Sequence, residues 1–243
     1  MLGIITAFKD MPRLGMLAVL AFLIAIFFAI VLHEMAHGWV AYWNGDLTAK
    51  FAGRLSMNPF KHIDPLGFLS MILIGFGWAK PVPIDPRNFN NYKKGMITTS
   101  LAGVTCNFIM ACLGAILLAI YGTCTKNLDL VIYVGQVDIT AAQYANFFVQ
   151  YLLIYTITFN LTLMAFNLLP IYPLDGFRVV ETLAKPNNRY VNFMYRYGSF
   201  VLLGLLLASN VLGRISPYLD LFGMYINLVQ GGMMKLFNLI LGI

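Results

Sequence analysis

Residues 14–32 contain no charged or polar side chain, a run close to the ~20 apolar residues that cross a bilayer as one helix. A chain with such a segment must place it in lipid or bury it whole, which confines the fold to a few helical solutions. At the end of that run stand His33, Glu34, Met35, Ala36 and His37. Ionisable groups at that depth are costly, so an H-E-x-x-H cluster there is a functional site by default.

The rest of the chain agrees with a membrane setting. Hydrophobic residues make up 60% and charged residues 11%, with mean hydropathy +0.76, all outside the range of soluble domains. The reading is an all-α polytopic membrane protein of one domain, 1–243. Five transmembrane helices are predicted, at about 14–43, 96–121, 143–169, 197–213 and 218–240. A hairpin or re-entrant region fills about 47–90, after the first span. Lys235 and the Gly231-Gly232 pair interrupt the fifth. The first run exceeds the apolar core of a signal peptide and leads into His33 without a cleavage site, so it is expected to be retained.

Net charge is +6, yet the basic residues are dispersed between apolar spans, which excludes a nucleic-acid-binding role. Eleven of the 16 Lys and Arg fall in two segments. Lys50, Arg54, Lys61, Lys80, Arg87, Lys93 and Lys94 lie in 44–95, and Arg178, Lys185, Arg189 and Arg196 in 175–196. The positive-inside rule puts both in the cytoplasm. His33 then lies toward the cytoplasmic end of the first span, and the connector 122–142, with Lys126, Asp129 and Asp138, falls outside. Lys9 and Arg13 at the N-terminus argue the other way. The expected location is the plasma (inner) membrane, with the site toward the cytoplasmic side.

Between the first two spans the character changes. Residues 47–63 mix polar and apolar positions around Gly53 and Pro59, the pattern of a hairpin or irregular loop. The apolar stretch from Pro65 to Ala79 is short for a crossing and suits a re-entrant segment dipping toward the site. Pro81, Pro83 and Pro86 then stop any helix. Cys106, Cys112 and Cys124 are odd in number and lack C-x-x-C spacing, so they make no disulfide framework. The first two read as packing residues.

His33 and His37 stand four apart, so both imidazoles leave one helical face and can share a tetrahedral Zn²⁺. Glu34 is placed to polarise a water at the metal instead of binding the ion. The bland alternative is a helix end with two structural histidines and a snorkelling glutamate. A catalytic zinc needs a third protein ligand and an open position. Asp175 is the candidate, because Pro170 and Pro173 break the third span and Gly176 permits a turn that brings a carboxylate back. A solvated Asp at an ordinary helix terminus is the competing reading. His62 as a fourth ligand would close the site, so it reads as a loop residue, either a pH-sensitive contact or gate near the site or an ordinary hydrogen-bonded loop histidine. Asn160 and Asn167 share a helix face and either line a polar path to the metal or bond between helices.

Together with Asn58-Pro59-Phe60-Lys61-His62-Ile63-Asp64-Pro65-Leu66-Gly67 and Pro173-Leu174-Asp175-Gly176, these residues make the chain resemble the site-2 protease family of intramembrane zinc metalloproteases, in its compact form without a PDZ domain. The resemblance covers nearly the whole chain. It implies one Zn²⁺ per chain on His33, His37 and Asp175, with Glu34 as catalytic acid/base. The family carries a glycine-rich turn followed by asparagine in the next span. This chain reads Ser100-Leu101-Ala102-Gly103-Val104-Thr105-Cys106-Asn107 there, with Val104 where the family usually shows proline. Asn107 is thereby the candidate oxyanion stabiliser or substrate-positioning amide, or else an interhelical bond.

The expected activity is hydrolysis of peptide bonds within or near transmembrane segments of membrane-protein substrates, a form of regulated intramembrane proteolysis. Such helices must unwind first, and an edge strand from 47–58 would pair with the extended chain. The lipid bilayer and a regulatory membrane partner complete the expected partners, and the sequence sets no oligomeric state. Two other classes compete: a metal or ion transporter, which would also hold His and Asp on broken helices, and a catalytically silent scaffold.

Overall fold

The computed structural model describes residues 12–62, 64–74, 80–125 and 140–241. Every regular element among them is helical. In chain order these are α1 (Pro12–Trp43), α2 (Thr48–Phe51), α3 (Pro65–Ile74), α4 (Tyr92–Thr125), α5 (Ala141–Asn167), α6 (Asp175–Leu183), α7 (Arg189–Ile215) and α8 (Leu221–Leu241). Short 3-10 turns sit at Pro59–Lys61, Pro86–Asn88 and Pro217–Leu219. Local chemistry sets several boundaries. Pro12 opens α1, where its missing N–H costs nothing. Thr140 and Gln143 form a capping box at the start of α5, and the Asn188 side chain accepts from two amides of α7.

The chain is an all-helical polytopic membrane protein. α1, α4, α5 and Arg189–Gly213 of α7 are long and apolar enough to cross a membrane. The fifth expected span, 218–240, is the 21-residue helix α8. Asn227, Gln230, Lys235 and Asn238 interrupt its apolar surface, and it is not among those four. The edge strand expected at 47–58 is not there: α2 and turns occupy the segment, and the described residues contain no strand. The β-branched residues that favour a pleated surface are nearly missing from it, Thr48 being the only one. Of the expected re-entrant stretch, residues 65–74 form α3, and 75–79 lie outside the described residues. So do Lys9 and, in the connector, Lys126, Asp129 and Asp138.

α1, α4 and α5 pack against one another in all three pairings and form the centre of the protein. Lipid tails are as apolar as leucine, so helices in a membrane gain by close approach more than by leaving the solvent. α1 meets that need with a buried stripe of Ala18, Ala21, Ala25 and Ala29. On the other side Val104, Ala111, Ala115 and Leu118 of α4 close on Ile157, Leu161 and Met164 of α5, with Phe237 of α8 in the same cluster. Large apolar side chains such as Phe200, Leu207 and Val211 remain exposed on α7, as a lipid-facing surface requires.

α6 is not a span. It packs against α4 and is tied to α7 by three rings: Phe177 lies 5.6 Å from Tyr172 and 5.4 Å from Tyr195, measured between ring centroids.

The segment between α1 and α4 is organised by one fully buried acid, Asp46. Its Oδ1 accepts from the Thr48 amide at 3.0 Å and from Asn88 Nδ2 at 2.9 Å. Its Oδ2 accepts from the Asp85 amide at 2.8 Å. Burial alone would raise its carboxyl, but the bonds from Asn88, Thr48 and Asp85 outweigh burial and hold it below the usual carboxylate range. A depressed folded value stabilises the native state above the unfolded value of about 4 and loses that contribution as pH falls through the folded one. Asp46→Ala should therefore melt lower than wild type by a constant gap above about pH 4, and the gap should shrink below it; thermal unfolding in detergent across that range checks this.

Candidate metal centre

α1 carries His33, Glu34 and His37 on its last three turns, and α6 carries Asp175 as its first residue. The break after α5 brings the two together. Pro170 and Pro173 prevent continuation of the helix, and α6 starts directly beneath the end of α5. Gly176 makes this approach possible through size and not through a left-handed conformation: a Cβ there would stand 2.3 Å from the Leu168 carbonyl oxygen and 2.6 Å from that of Leu169.

Three ligand atoms converge. His33 Nε2 and His37 Nε2 are 3.1 Å apart, and Asp175 Oδ2 lies 3.2 Å from the first and 3.3 Å from the second. Both histidines are buried. The opposite nitrogen of each ring is engaged: His37 Nδ1 donates to the Thr99 carbonyl oxygen at 2.7 Å, and His33 Nδ1 donates to Asn107 Oδ1 at 2.7 Å. A carbonyl can only accept, so the neutral His37 ring carries its proton on Nδ1 and its Nε2 presents a lone pair. The same holds for His33 against Asn107.

Two lone pairs and a carboxylate oxygen thus face each other in a low-dielectric interior, an arrangement that repels itself unless a cation joins it. The donor set fits zinc. With bonds of ~2.0–2.2 Å, the edges of a tetrahedral site measure ~3.3–3.6 Å, and the observed triangle nearly matches. Orientation of both rings by outer hydrogen bonds is also the common arrangement of metal-binding histidines. Among the described residues, this is the group whose acidic and imidazole atoms could hold an ion together.

The three residues open onto a cavity of about 220 Å³ that Glu34, Thr99, Asn167 and Arg178 also line. Pro81, Val82 and Ile84 form another part of its wall. Glu34 Oε2 accepts from the Val82 amide at 3.1 Å. The sequence singled out four of these residues for the site, and the fold brings His33, Glu34, His37 and Asp175 together on the cavity. Asn107 is not on it. It stands behind His33, and its Nδ2 has no hydrogen-bond partner among the described residues.

His62 is elsewhere, a buried loop residue whose Nε2 lies 2.8 Å from the Ser56 carbonyl oxygen. Asn167 lines the cavity, whereas Asn160 is buried and donates to the Thr156 carbonyl of its own helix. The sequence reading missed Arg178 as a site residue. Its place three residues after Asp175 on a helix puts the two side chains on one face, a signal that was available. The partners Thr99 and Val82 act through backbone atoms, which no residue identity reveals.

Residues 21–205 match peptidase family M50, and the chain belongs to that family of membrane zinc metalloproteases, the site-2 protease family. Within it, the chain is 37% identical over 166 residues to a Bacillus subtilis (strain 168) protein named "Putative zinc metalloprotease YwhC", covering 68% of this chain and 70% of the relative. No solved structure matches.

Gly103 lies against His33, and a Cβ there would be 2.4 Å from the ring's Cε1. Gly103→Ala must push the imidazole out of line, and Asn107→Ala frees it to turn. Each should weaken zinc binding by about 10- to 100-fold, measured by competition with a chelator of known affinity.

Proposed function

We propose that the protein is a zinc endopeptidase that cleaves peptide bonds within or beside transmembrane segments of other membrane proteins. The observation that carries this reading is the convergence of three electron-pair donors, His33, His37 and Asp175, on a cavity whose wall also holds Glu34. His33, His37 and Asp175 are the ligands of one zinc ion per chain. Zinc held there supplies Lewis acidity, which lowers the pKa of water and polarises a carbonyl.

Glu34 does the proton work. Its carboxylate takes a proton from the attacking water and delivers it to the departing amine nitrogen. Asn107 acts through His33, keeping its lone pair directed at the ion. Arg178 puts a fixed positive charge on the cavity wall, which favours substrate groups bearing negative charge. The substrate arrives through lipid, and its helix has to unwind before the cavity can admit it, because a helical peptide bond is already hydrogen-bonded. The basic segments between spans support a site toward the cytoplasmic side, and the membrane of this reading is the plasma membrane. Membrane-protein substrates and lipid are the partners this reading requires.

The test compares wild type with Glu34→Gln and Asp175→Asn, using a tagged transmembrane reporter in liposomes and zinc quantified in each preparation. Wild type should cleave and hold one zinc. Glu34→Gln should keep the zinc and lose cleavage by at least about 1,000-fold, while Asp175→Asn should lose most of the zinc. Cleavage retained by Glu34→Gln, or zinc movement across sealed vesicles without cleavage, would refute the reading.

A further inference from the structure

The segment that closes one side of the cavity is unusual in its donors. Its sequence, Lys80-Pro81-Val82-Pro83-Ile84-Asp85-Pro86, places a proline after Lys80, Val82 and Asp85, and a residue before proline is pushed toward extended backbone. Asp85 adopts it, with φ −112° and ψ 100°. Pro81 and Pro83 have no N–H, so Val82 supplies the single amide between them. That amide goes to Glu34 Oε2.

Both ends of the segment are fixed by groups that are themselves buried. The Lys80 amide donates to the His62 carbonyl oxygen at 2.9 Å. The Lys80 carbonyl accepts from Arg54 Nη2, a guanidinium that is only 7% exposed and lies within electrostatic range of Glu34. At the other end the Asp85 amide donates to Asp46 Oδ2. The middle is seated too: a Cβ on Gly38 of α1 would touch Val82 Cγ1 at 3.3 Å. Burying Asp46 and Arg54 is expensive unless each is paired, and each makes a bond to this stretch of backbone.

We infer that residues 80–85 form a strap that positions the Glu34 carboxylate, with the Val82 amide as the contact and Asp46 and Arg54 as its anchors. The inference rests on Glu34 being the acid/base. A glutamate has three side-chain torsions, and fixing one of its oxygens on a rigid donor restricts the carboxylate on the cavity that Glu34 lines. The strap binds Oε2 and leaves a cavity of about 220 Å³ beside the metal ligands, so it serves as a wall and not as a plug. Asp46, Arg54 and Val82 are positioning residues.

The decisive change replaces Val82 by α-hydroxyisovaleric acid, which turns the amide N–H into an ester oxygen and keeps the side chain. In the liposome assay with the tagged reporter, this should lower kcat about 100-fold, with KM within about two-fold and zinc content unchanged. Asp46→Ala should act in the same direction. Should Asp46→Ala fail to fold, the ester variant decides. An unchanged kcat, a loss carried by KM, or a gain in activity would overturn the inference, the last by showing the strap to be a plug.

Hydrogen exchange gives a readout free of catalysis. Residues 80–85 carry four amides, on Lys80, Val82, Ile84 and Asp85. Glu34→Ala should speed exchange at Val82 at least about tenfold, and Asp46→Ala should do so at Asp85. Exchange at Val82 that ignores Glu34 would overturn the contact. If wild type itself does not cleave, the protease reading falls, and exchange alone judges the strap.

Discussion

Two imidazole lone pairs and a carboxylate oxygen, held 3.1–3.3 Å apart inside a bundle of apolar helices, set the terms for everything around them. Without a bound cation or a proton the triangle repels itself, so the packing beneath it must be stiff enough to hold the three atoms in place. The bundle provides that stiffness with small residues. The alanine stripe of α1 brings backbones together, and Gly103 lets α4 press directly on the His33 ring. The hydrogen bonds that the rings donate to Asn107 and Thr99 then leave each ring a single orientation. In a membrane, where apolar burial supplies little drive between helices, close contact and polar pairs of this kind carry the specificity of the fold.

Much of this was legible in the sequence because it depends on local periodicity. The uncharged run of α1, the four-residue spacing of His33 and His37, and the break at Pro170 and Pro173 all report on one helix or one terminus. What was not legible depends on how two elements are rotated against each other. Asn107 is an asparagine in a span by sequence, but only the register of α4 against α1 decides that it faces the back of His33. Gly176 was expected for its backbone freedom, and the structure needs it for its missing side chain. Residues 47–58 were expected to offer an edge strand and instead hold a short helix and turns, because they nearly lack β-branched residues and Thr48 is bonded to Asp46. The contacts made by Thr99, Val82 and Lys80 use main-chain atoms, which are identical in every residue but proline.

The stretch of chain that matches the family also carries the candidate site. The match to peptidase family M50 runs over residues 21–205, a span that contains His33, Glu34, His37, Asn107, Asp175 and the strap. The remaining helix, α8, joins the core through Phe237.

The three candidate ligands are divided between the first long helix and a short one that follows the third, and this has a consequence for how the protein is made. A ribosome delivers His33 and His37 to the membrane early, and Asp175 only after α4 and α5 have been threaded in. The α6 helix that bears it must also find its seat under α5 and against the rings of Tyr172 and Tyr195. A half-inserted chain would therefore offer an ion only two imidazoles. Under the proposed reading, competence to hold metal is acquired only after α5 is in place, so earlier nascent copies would lack a complete site.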